Sequence, residues 1–267
     1  FQPDAVIGVG GYASAPTLRM AENLDIPTLI QEQNSFAGIT NKRLGKKASK
    51  ICVAYPGMEK FFPKDKIVLT GNPVRKDILD VSAKREEGLK EFGLDGNKKI
   101  ILAIGGSLGA LSVNESIKSR VKDFDEKGVQ ILWQTGKFFY PKAKDLNTAN
   151  VHVLEFIKRM DLAYAVADVV ISRAGALSIS ELCLVGKPSI LVPFPYAAED
   201  HQTHNAMSLV DNDAAILVKD AEAREKLVDI TFDLLGRTEL QFSLTENIKK
   251  LGKREAANDI ADKILSL

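Results

Sequence analysis

Cysteine, histidine and tryptophan are scarce in this chain of 267 residues, which has two, three and one of them respectively. The cysteines, Cys52 and Cys183, lie in separate apolar runs and form no CxxC pair. This excludes a disulfide framework and most zinc sites, and it fits a reducing compartment. The formal net charge is only +1, so no overall field attracts nucleic acid. No apolar run approaches the roughly 18 to 20 residues that span a bilayer.

What is present is an ordinary globular composition, 45% hydrophobic, of a length that suits one or two domains. The chain opens on Phe1 rather than methionine, and an apolar run typical of a strand begins within four residues. We therefore expect the first part of its first domain to lie upstream of Phe1.

Short apolar runs alternate with helix-like stretches along nearly the whole chain, which is typical of βαβ units and a parallel sheet. They predict ten strands, beginning at Ala5, Thr28, Lys50, Ile67, Ile100, Gln130, Val151, Val169, Ser189 and Ala215. Between the fourth and fifth, Gly71-Asn72-Pro73 suits neither a helix nor a strand. We predict two Rossmann-like α/β domains, an incomplete one over residues 1–72 and a complete one over 73–253.

Three loops that follow predicted strands are rich in small residues: "GVGGYAS" at 8–14, "GGSLGA" at 105–110 and "SRAGALS" at 172–178. Ligands of an open parallel sheet bind beyond the carboxyl ends of its strands. Small residues let the backbone approach a ligand, and the N–H groups of the following helix attract an anion, most often a phosphate. Tight turns also use glycine for conformational reasons alone. Two such loops in the second domain nevertheless predict a nucleotide site there.

A nicotinamide dinucleotide fits this site poorly. The spacing at 105–109 is GGxxG rather than GxGxxG, and the next strand ends in Gln134-Thr135, where such folds place an acidic residue for the ribose. The suitably placed acid is Glu181, which has two interpretations. It closes a capping box with Ser178 at a helix start, or it binds the ribose of a nucleotide whose diphosphate lies on the glycine loop. The residues leave both open, and Arg173 in the same loop has the character of a solvated charge.

Two polar segments complete the candidates. His201, Gln202, His204 and Asn205 cluster after a buried strand. The amides suit sugar hydroxyl groups, the HxxH spacing lacks a third metal ligand, and the plain alternative is a polar helix start capped by Asp200. The segment "KRLGKKASK" at 42–50 holds five basic residues. It is a solvated helix end or a contact with an anionic membrane surface.

The motifs "GVGGYAS", "QEQNSFAGITNK", "GNPVR", "GGSLGA", "EFI", "SRAGALSISEL", "VPFP" and "HQTHNA" resemble, in order and spacing, those of the MurG family of bacterial glycosyltransferases. The resemblance implies the GT-B fold, two Rossmann-like domains facing across a cleft, with a last helix, about residues 254–267, that packs back on the first domain. It implies transfer of N-acetylglucosamine from UDP-N-acetylglucosamine to lipid-linked muramyl-pentapeptide, in the bacterial cytoplasm at the inner face of the plasma membrane. Partners among cell-wall synthesis proteins are also expected.

The same resemblance implies roles for individual residues. Those expected to bind the donor are Asn34, Arg75, Ser107, Ile157 (through its backbone), Ala176, Leu177, Ser178, Glu181 (on the ribose) and Gln202 (on the sugar). An acceptor or phosphate loop is expected at Gly10, Gly11 and Tyr12. The family's catalytic base is expected in a glycine-rich loop upstream of Phe1, so none is assigned in this chain.

No cofactor is expected. We expect the chain to have no metal-binding Asp-x-Asp motif, so the loop N–H groups and the helix dipole, rather than a metal ion, would stabilise the leaving diphosphate. Three alternatives stay open: a UDP-N-acetylglucosamine 2-epimerase of the same architecture, a UDP-N-acetylglucosamine-binding subunit that is catalytically incomplete, and, least favoured, a nicotinamide dehydrogenase.

Overall fold

The structure is a computed structural model that describes residues 2–267, and these residues form ten β-strands and twelve α-helices. The strands are β1 (Val6–Gly8), β2 (Thr28–Glu32), β3 (Lys50–Val53), β4 (Ile67–Leu69), β5 (Ile100–Ile104), β6 (Gln130–Gln134), β7 (Val151–Leu154), β8 (Val169–Ser172), β9 (Ser189–Leu191) and β10 (Ile216–Leu217). All ten overlap the predicted strands. The sequence therefore located every strand, because each is a short apolar run bounded by polar or small residues.

The helices alternate with these strands in the way that parallel sheets require. They are α1 (Ser14–Asn23), α2 (Ile39–Leu44), α3 (Arg85–Phe92), α4 (Leu111–Ser119), α5 (Val121–Lys127), α6 (Tyr140–Ala143), α7 (Met160–Val166), α8 (Ala176–Val185), α9 (His201–Val210), α10 (Asp220–Gly236), α11 (Thr238–Lys250) and α12 (Ala256–Leu265). None of the helices in residues 2–267 is both long and apolar enough to cross a bilayer.

The strands form two separate parallel sheets. The first has the order β1-β2-β3-β4, and the second has the order β10-β9-β8-β5-β6-β7. In the second sheet β5 pairs with β6 on one side and with β8 on the other, so the chain reverses its direction of travel between β5 and β8. This switch point opens a crevice at the carboxyl ends of the two strands, where doubly wound sheets bind ligands.

The second sheet is covered on both faces, which explains why its strands are continuously apolar. Ile100 and Leu102 of β5 pack with α7, α8 and α9, whereas Ile101 and Ala103 pack with α4, α5 and α10 on the opposite face. A third core joins β2 and β3 of the first sheet to α1 and α2. The prediction of an α/β molecule with two parallel-sheet domains is confirmed.

The two domains touch through polar side chains. Asn72, between the sheets, donates a hydrogen bond to Ser180 Oγ of α8 at 3.0 Å, and Asn205 of α9 donates one to Asn34 Oδ1 at 3.1 Å. Near the end of the chain, Lys253 and Ala256 pack against Gly71 so closely that this glycine, with a φ of 86°, has no room for a side chain. The division at residues 72 and 73, and the assignment of α12 to the first domain, stay predictions.

Candidate nucleotide site

A cavity of about 840 Å³ opens at the carboxyl edge of the second sheet, beside the switch point. Its walls come from the loops after β5 and β8, from residues 194–196 after β9, and from the first turns of α4, α7, α8 and α10. The volume falls within the range of roughly 300 to 1,000 Å³ that is usual for small-molecule sites. The two small-residue loops that the sequence singled out in this domain therefore line one cavity.

The loop after β5 keeps its shape through glycines that no other residue could replace. Gly109 has a φ of 85°, and a Cβ atom at this position would overlap the carbonyl oxygen of Thr135. A Cβ atom on Gly136 would in turn overlap the backbone of Gly109. Ser107 and Leu108 are exposed at the tip of the loop, on the cavity wall. The glycines thus serve a tight backbone packing that presents the loop to a ligand.

Helix α8 begins two residues earlier than the sequence predicted. Its first residue is Ala176 and its N-cap is Gly175, whose φ of −66° and ψ of 150° are extended. Ser178 is therefore the third residue of the helix and Glu181 the sixth, and no side chain caps the N-terminus. The capping-box interpretation of Ser178 and Glu181 is wrong, because both residues lie inside the helix. The first turn of α8 thus has no side-chain cap, and Gly175 and Ser178 lie on the cavity wall.

Glu181 points into the cavity and is held by a neighbour that the sequence did not reveal. Its Oε2 atom accepts a hydrogen bond from the hydroxyl group of Tyr164 at 3.0 Å. Burial raises the pKa of the Glu181 carboxyl above its ordinary value, while the hydrogen bond from Tyr164 and the charge of Arg75 oppose this rise. A half-buried carboxylate with a partly open oxygen is an acceptor for ligand hydroxyl groups.

Arg173 is not the solvated charge that the sequence indicated. Its side chain is 13% exposed, and its guanidinium donates to the carbonyl oxygens of Val192 (3.0 Å) and Pro193 (3.1 Å) and to Asp220 of α10. Asp220 also accepts a hydrogen bond from Ser112 of α4. The pair therefore ties α4, the loop after β8 and the start of α10 together at the bottom of the cavity.

Gln134 is a second residue whose role the sequence did not reveal. From the end of β6 it donates a hydrogen bond to the Gly106 carbonyl at 3.0 Å and accepts one from the Ile157 N–H at 2.8 Å. It thus links the glycine loop to the segment that carries Ile157. The Ile157 N–H is thus already bonded in this structure, and the expected backbone contact of Ile157 with a base stays a prediction.

The cavity brings together five of the predicted donor residues: Ser107, Ile157, Ser178, Glu181 and Gln202. Gln202 accepts a hydrogen bond from the Phe194 N–H at 3.0 Å, so it also fixes the loop after β9.

Four other predicted donor residues lie outside the cavity wall: Asn34, Arg75, Ala176 and Leu177. Arg75 is exposed but close enough to act on the charge of Glu181, and Asn34 is bonded to Asn205 at the contact between the domains. Ala176 and Leu177 form the first turn of α8, and the side chain of Leu177 is 54% exposed. These four roles stay predictions.

The predicted acceptor loop lies at the carboxyl end of β1, in the first domain. Gly10 and Gly11 have φ values of 88° and 76°, and Tyr12 is 90% exposed. None of the three contributes to the cavity wall. Their function as an acceptor loop stays a prediction.

Of the two histidines after β9, His204 packs against the first domain. His204 stacks on Phe36 of the first domain with ring centroids 4.8 Å apart, and Asp200 occupies the N-cap of α9 without capping it through its side chain. Within residues 2–267, no group of three or more His, Cys, Asp or Glu side chains is placed to hold a metal ion. The expectation that the chain has no Asp-x-Asp motif is wrong, because such triplets occur at residues 123–125 and 211–213. Neither triplet lies on the wall of this cavity.

Family comparisons agree with this architecture. The model of the glycosyltransferase family 28 C-terminal domain matches residues 100–264, and that of the glycosyltransferase family 28 N-terminal domain matches residues 1–53. The first match contains every strand of the second sheet and all the cavity loops.

Two of the most similar relatives carry the same enzyme name. The UDP-N-acetylglucosamine--N-acetylmuramyl-(pentapeptide) pyrophosphoryl-undecaprenol N-acetylglucosamine transferase of Parabacteroides distasonis is 54% identical, over 100% of this chain and 74% of its own length. The enzyme of the same name from Porphyromonas gingivalis is 53% identical, over 99% of this chain and 71% of its own length.

Solved structures extend the likeness to three dimensions. The crystal structure of Acinetobacter baumannii MurG matches with a TM-score of 0.80 and 33% identity, over 99% of this chain and 74% of that one. A UDP-GlcNAc 2-epimerase from Neisseria meningitidis, bound to UDP-GlcNAc, matches with a TM-score of 0.69, over 100% of this chain and 77% of that one. Its identity of 16% shows a shared fold alone. The predicted GT-B fold is thus confirmed, and the chain belongs to glycosyltransferase family 28 and, within it, to the MurG family of N-acetylglucosamine transferases.

Proposed function

We propose that this protein transfers N-acetylglucosamine from UDP-N-acetylglucosamine to the 4-hydroxyl group of undecaprenyl-pyrophosphoryl-N-acetylmuramyl-pentapeptide, a step of peptidoglycan synthesis. The observation that carries the proposal is the 54% identity to a transferase of that name along the whole chain. The cavity at the switch point of the second sheet supports a nucleotide donor, because it joins a glycine loop, an uncapped helix and a carboxylate.

The donor is proposed to lie across the cavity with its diphosphate between the loop at Ser107 and the start of α8. Two helices longer than eight residues, α4 and α8, begin at this point without a side-chain cap. Their N–H groups and dipoles therefore favour a group of negative charge. Glu181 would accept hydrogen bonds from the ribose, Ile157 would contact the uracil through its backbone, and Gln202 would contact the sugar.

The chemistry we propose is a single displacement with inversion. The acceptor oxygen attacks the anomeric carbon from the face opposite UDP, a carbon–oxygen bond forms, and the bond to the diphosphate oxygen breaks. The hydroxyl proton passes to a base and UDP leaves with the bonding electron pair. Positive ends of α4 and α8 would stabilise the charge that grows on the diphosphate, which is the usual role of preorganised N–H donors. No metal ion is needed for that role.

The test is a transfer assay with UDP-N-acetylglucosamine and a lipid-linked muramyl-pentapeptide acceptor, with and without EDTA. We expect the disaccharide-linked lipid and UDP as products at equal rates in both conditions. Loss of transfer in EDTA that magnesium restores would contradict the metal-independent mechanism. Formation of UDP-N-acetylmannosamine without an acceptor would support the epimerase instead, and donor binding without any transfer would support the incomplete binding subunit.

We also propose that the first domain contacts an anionic membrane surface at the basic segment of residues 42–50. Arg43, Lys46 and Lys47 are exposed there, beside Ile39, which is 54% exposed. Lys42 is engaged elsewhere, because it pairs with Glu199 across the domain contact at 3.1 Å.

Co-sedimentation with phosphatidylglycerol vesicles tests the membrane proposal. Reversal of the charges of Arg43, Lys46 and Lys47 to glutamate should reduce the bound fraction. The same change at Lys118, Lys122 and Lys127, in the second domain, should not. Equal losses in the two triple variants would mean that net charge, rather than this segment, controls binding.

A further inference from the structure

Tyr164 is a completely buried tyrosine that reaches the nucleotide cavity with its hydroxyl group. It lies on α7 among apolar neighbours, with an exposed fraction of 0%, and it also contributes to the cavity wall. A buried hydroxyl group destabilises a protein unless it has a hydrogen-bond partner. Here the partner is Oε2 of Glu181, at 3.0 Å.

We propose that Tyr164 is a positioning and specificity-determining residue, which orients the Glu181 carboxylate so that the site selects a ribonucleotide over a 2′-deoxyribonucleotide. The inference rests on the proposed function in one respect, namely that Glu181 binds the ribose of the donor. Tyr164 does not need to touch the donor, because it acts through Glu181.

The contact with Tyr164 restricts the orientation of the Glu181 carboxylate. The last torsion of a glutamate side chain is broad, so an unanchored carboxylate samples many orientations of its plane. A hydrogen bond from a rigid, fully buried phenol removes that freedom at Oε2. The remaining lone pairs of the carboxylate then point in fixed directions. A carboxylate must be held in this way if it is to accept hydrogen bonds from two adjacent hydroxyl groups at once.

Tyr164 also affects the charge state of the Glu181 carboxyl group. Burial raises the pKa of Glu181, and the nearest groups that act on it are Tyr164 on α7 and, beyond β4, Arg75 and Asp77. Tyr164 and Arg75 favour the ionised carboxylate, whereas Asp77 disfavours it. Burial also raises the pKa of Tyr164 well above its ordinary value, so its hydroxyl group remains a donor at working pH. Tyr164 thus helps to keep Glu181 in the acceptor form that two ribose hydroxyl groups require.

The sign of the pH effect follows from these contacts. Ribose binding favours the ionised carboxylate, so affinity rises as the pH increases through the pKa of Glu181. Removal of the Tyr164 hydroxyl group takes away a hydrogen bond to the charged form and raises that pKa further. The pH at which UDP binding reaches its plateau should therefore move upward in Tyr164→Phe.

The experiment is calorimetric titration of the protein with UDP and with 2′-deoxy-UDP from pH 5 to pH 8. Wild-type protein should prefer UDP by roughly tenfold, the size expected for one hydrogen bond to a charged group. Tyr164→Phe should bind UDP roughly three- to tenfold more weakly and 2′-deoxy-UDP almost as well as the wild type does. Tyr55→Phe is the matched control, since Tyr55 is 8% exposed and lies outside the cavity wall. It should leave the preference unchanged.

Glu181→Ala completes a double-mutant cycle. The effect of Tyr164→Phe on UDP affinity should disappear in the Glu181→Ala background, whereas a loss of packing would weaken binding in both backgrounds. An unchanged preference for UDP and an unchanged pH midpoint in Tyr164→Phe would overturn the inference. A wild-type protein that binds UDP and 2′-deoxy-UDP equally would instead refute its premise, the ribose contact of Glu181, and with it this part of the proposed function.

Discussion

Replacement of Gly109 by alanine tests whether the glycine loop is held in place by backbone packing. Two costs add at this position. A residue with a side chain at a φ of 85° costs about 1 to 2 kcal/mol, and the new Cβ atom would overlap the Thr135 carbonyl oxygen, which is backbone and cannot rotate away. We expect Gly109→Ala to lower the free energy of unfolding by about 3 to 5 kcal/mol in total, because the overlap can be relieved only if the whole loop moves.

The matched control is Gly128→Ala at the C-terminal end of α5. Gly128 has a φ of 64°, but a Cβ atom there would meet no atom within 4 Å. It should therefore lose about 1 to 2 kcal/mol of stability, from the backbone conformation alone.

Chemical denaturation and calorimetric titration with UDP measure the two consequences of these substitutions. Gly109→Ala should lower UDP affinity by about tenfold or more, since it displaces the loop that we propose to bind the diphosphate, and Gly128→Ala should leave the affinity unchanged. Equal stability losses in the two variants, or wild-type UDP affinity in Gly109→Ala, would refute the argument that Thr135 fixes the loop.

Two further predictions concern charged groups. Arg173→Met should lower the free energy of unfolding by about 2 kcal/mol and weaken UDP binding, because it leaves Asp220 without its charged partner. The double variant Arg173→Met with Asp220→Asn should recover part of the stability, and no recovery in denaturation would contradict the pairing. Burial lowers the pKa of Lys187 to about 8, so the folded protein binds fewer protons than the unfolded chain between about pH 8 and the ordinary lysine pKa. Stability should consequently rise with pH in that window relative to Lys187→Met, by up to about 1.4 kcal/mol per pH unit; parallel pH profiles of the two proteins would contradict it.

The strands and the location of the site could be predicted from the sequence because both depend on local patterns. A buried parallel strand is a short apolar run, and the loops at Gly105 and Arg173 follow two such runs that neighbour each other in the sheet. Their meeting at one edge follows from the topology of doubly wound sheets.

The start of α8 could not be predicted, because serine is a common N-cap and the sequence offers one at Ser178. The helix instead begins after the extended backbone of Gly175, which lies on the cavity wall. Glycine is itself a common N-cap residue, so the sequence offers two candidate caps three residues apart, and the structure shows that the first one is used.

Residues that support the site from a distance were also hidden. Tyr164 lies in a helix of otherwise mostly apolar residues, and Gln134 ends a buried strand. Their partners, Glu181 and Ile157, are 17 and 23 residues away along the chain. Only the packed structure reveals such contacts. The ion pair of Arg173 was hidden for the same reason, since its partner Asp220 lies 47 residues away along the chain.

A crystal structure with UDP-N-acetylglucosamine tests the central claim most directly. We predict a diphosphate between the loop at residues 105–110 and the first turn of α8, with the ribose hydroxyl groups within hydrogen-bond distance of the Glu181 carboxylate. Density for the nucleotide elsewhere, or an empty cavity at a saturating concentration, would contradict it.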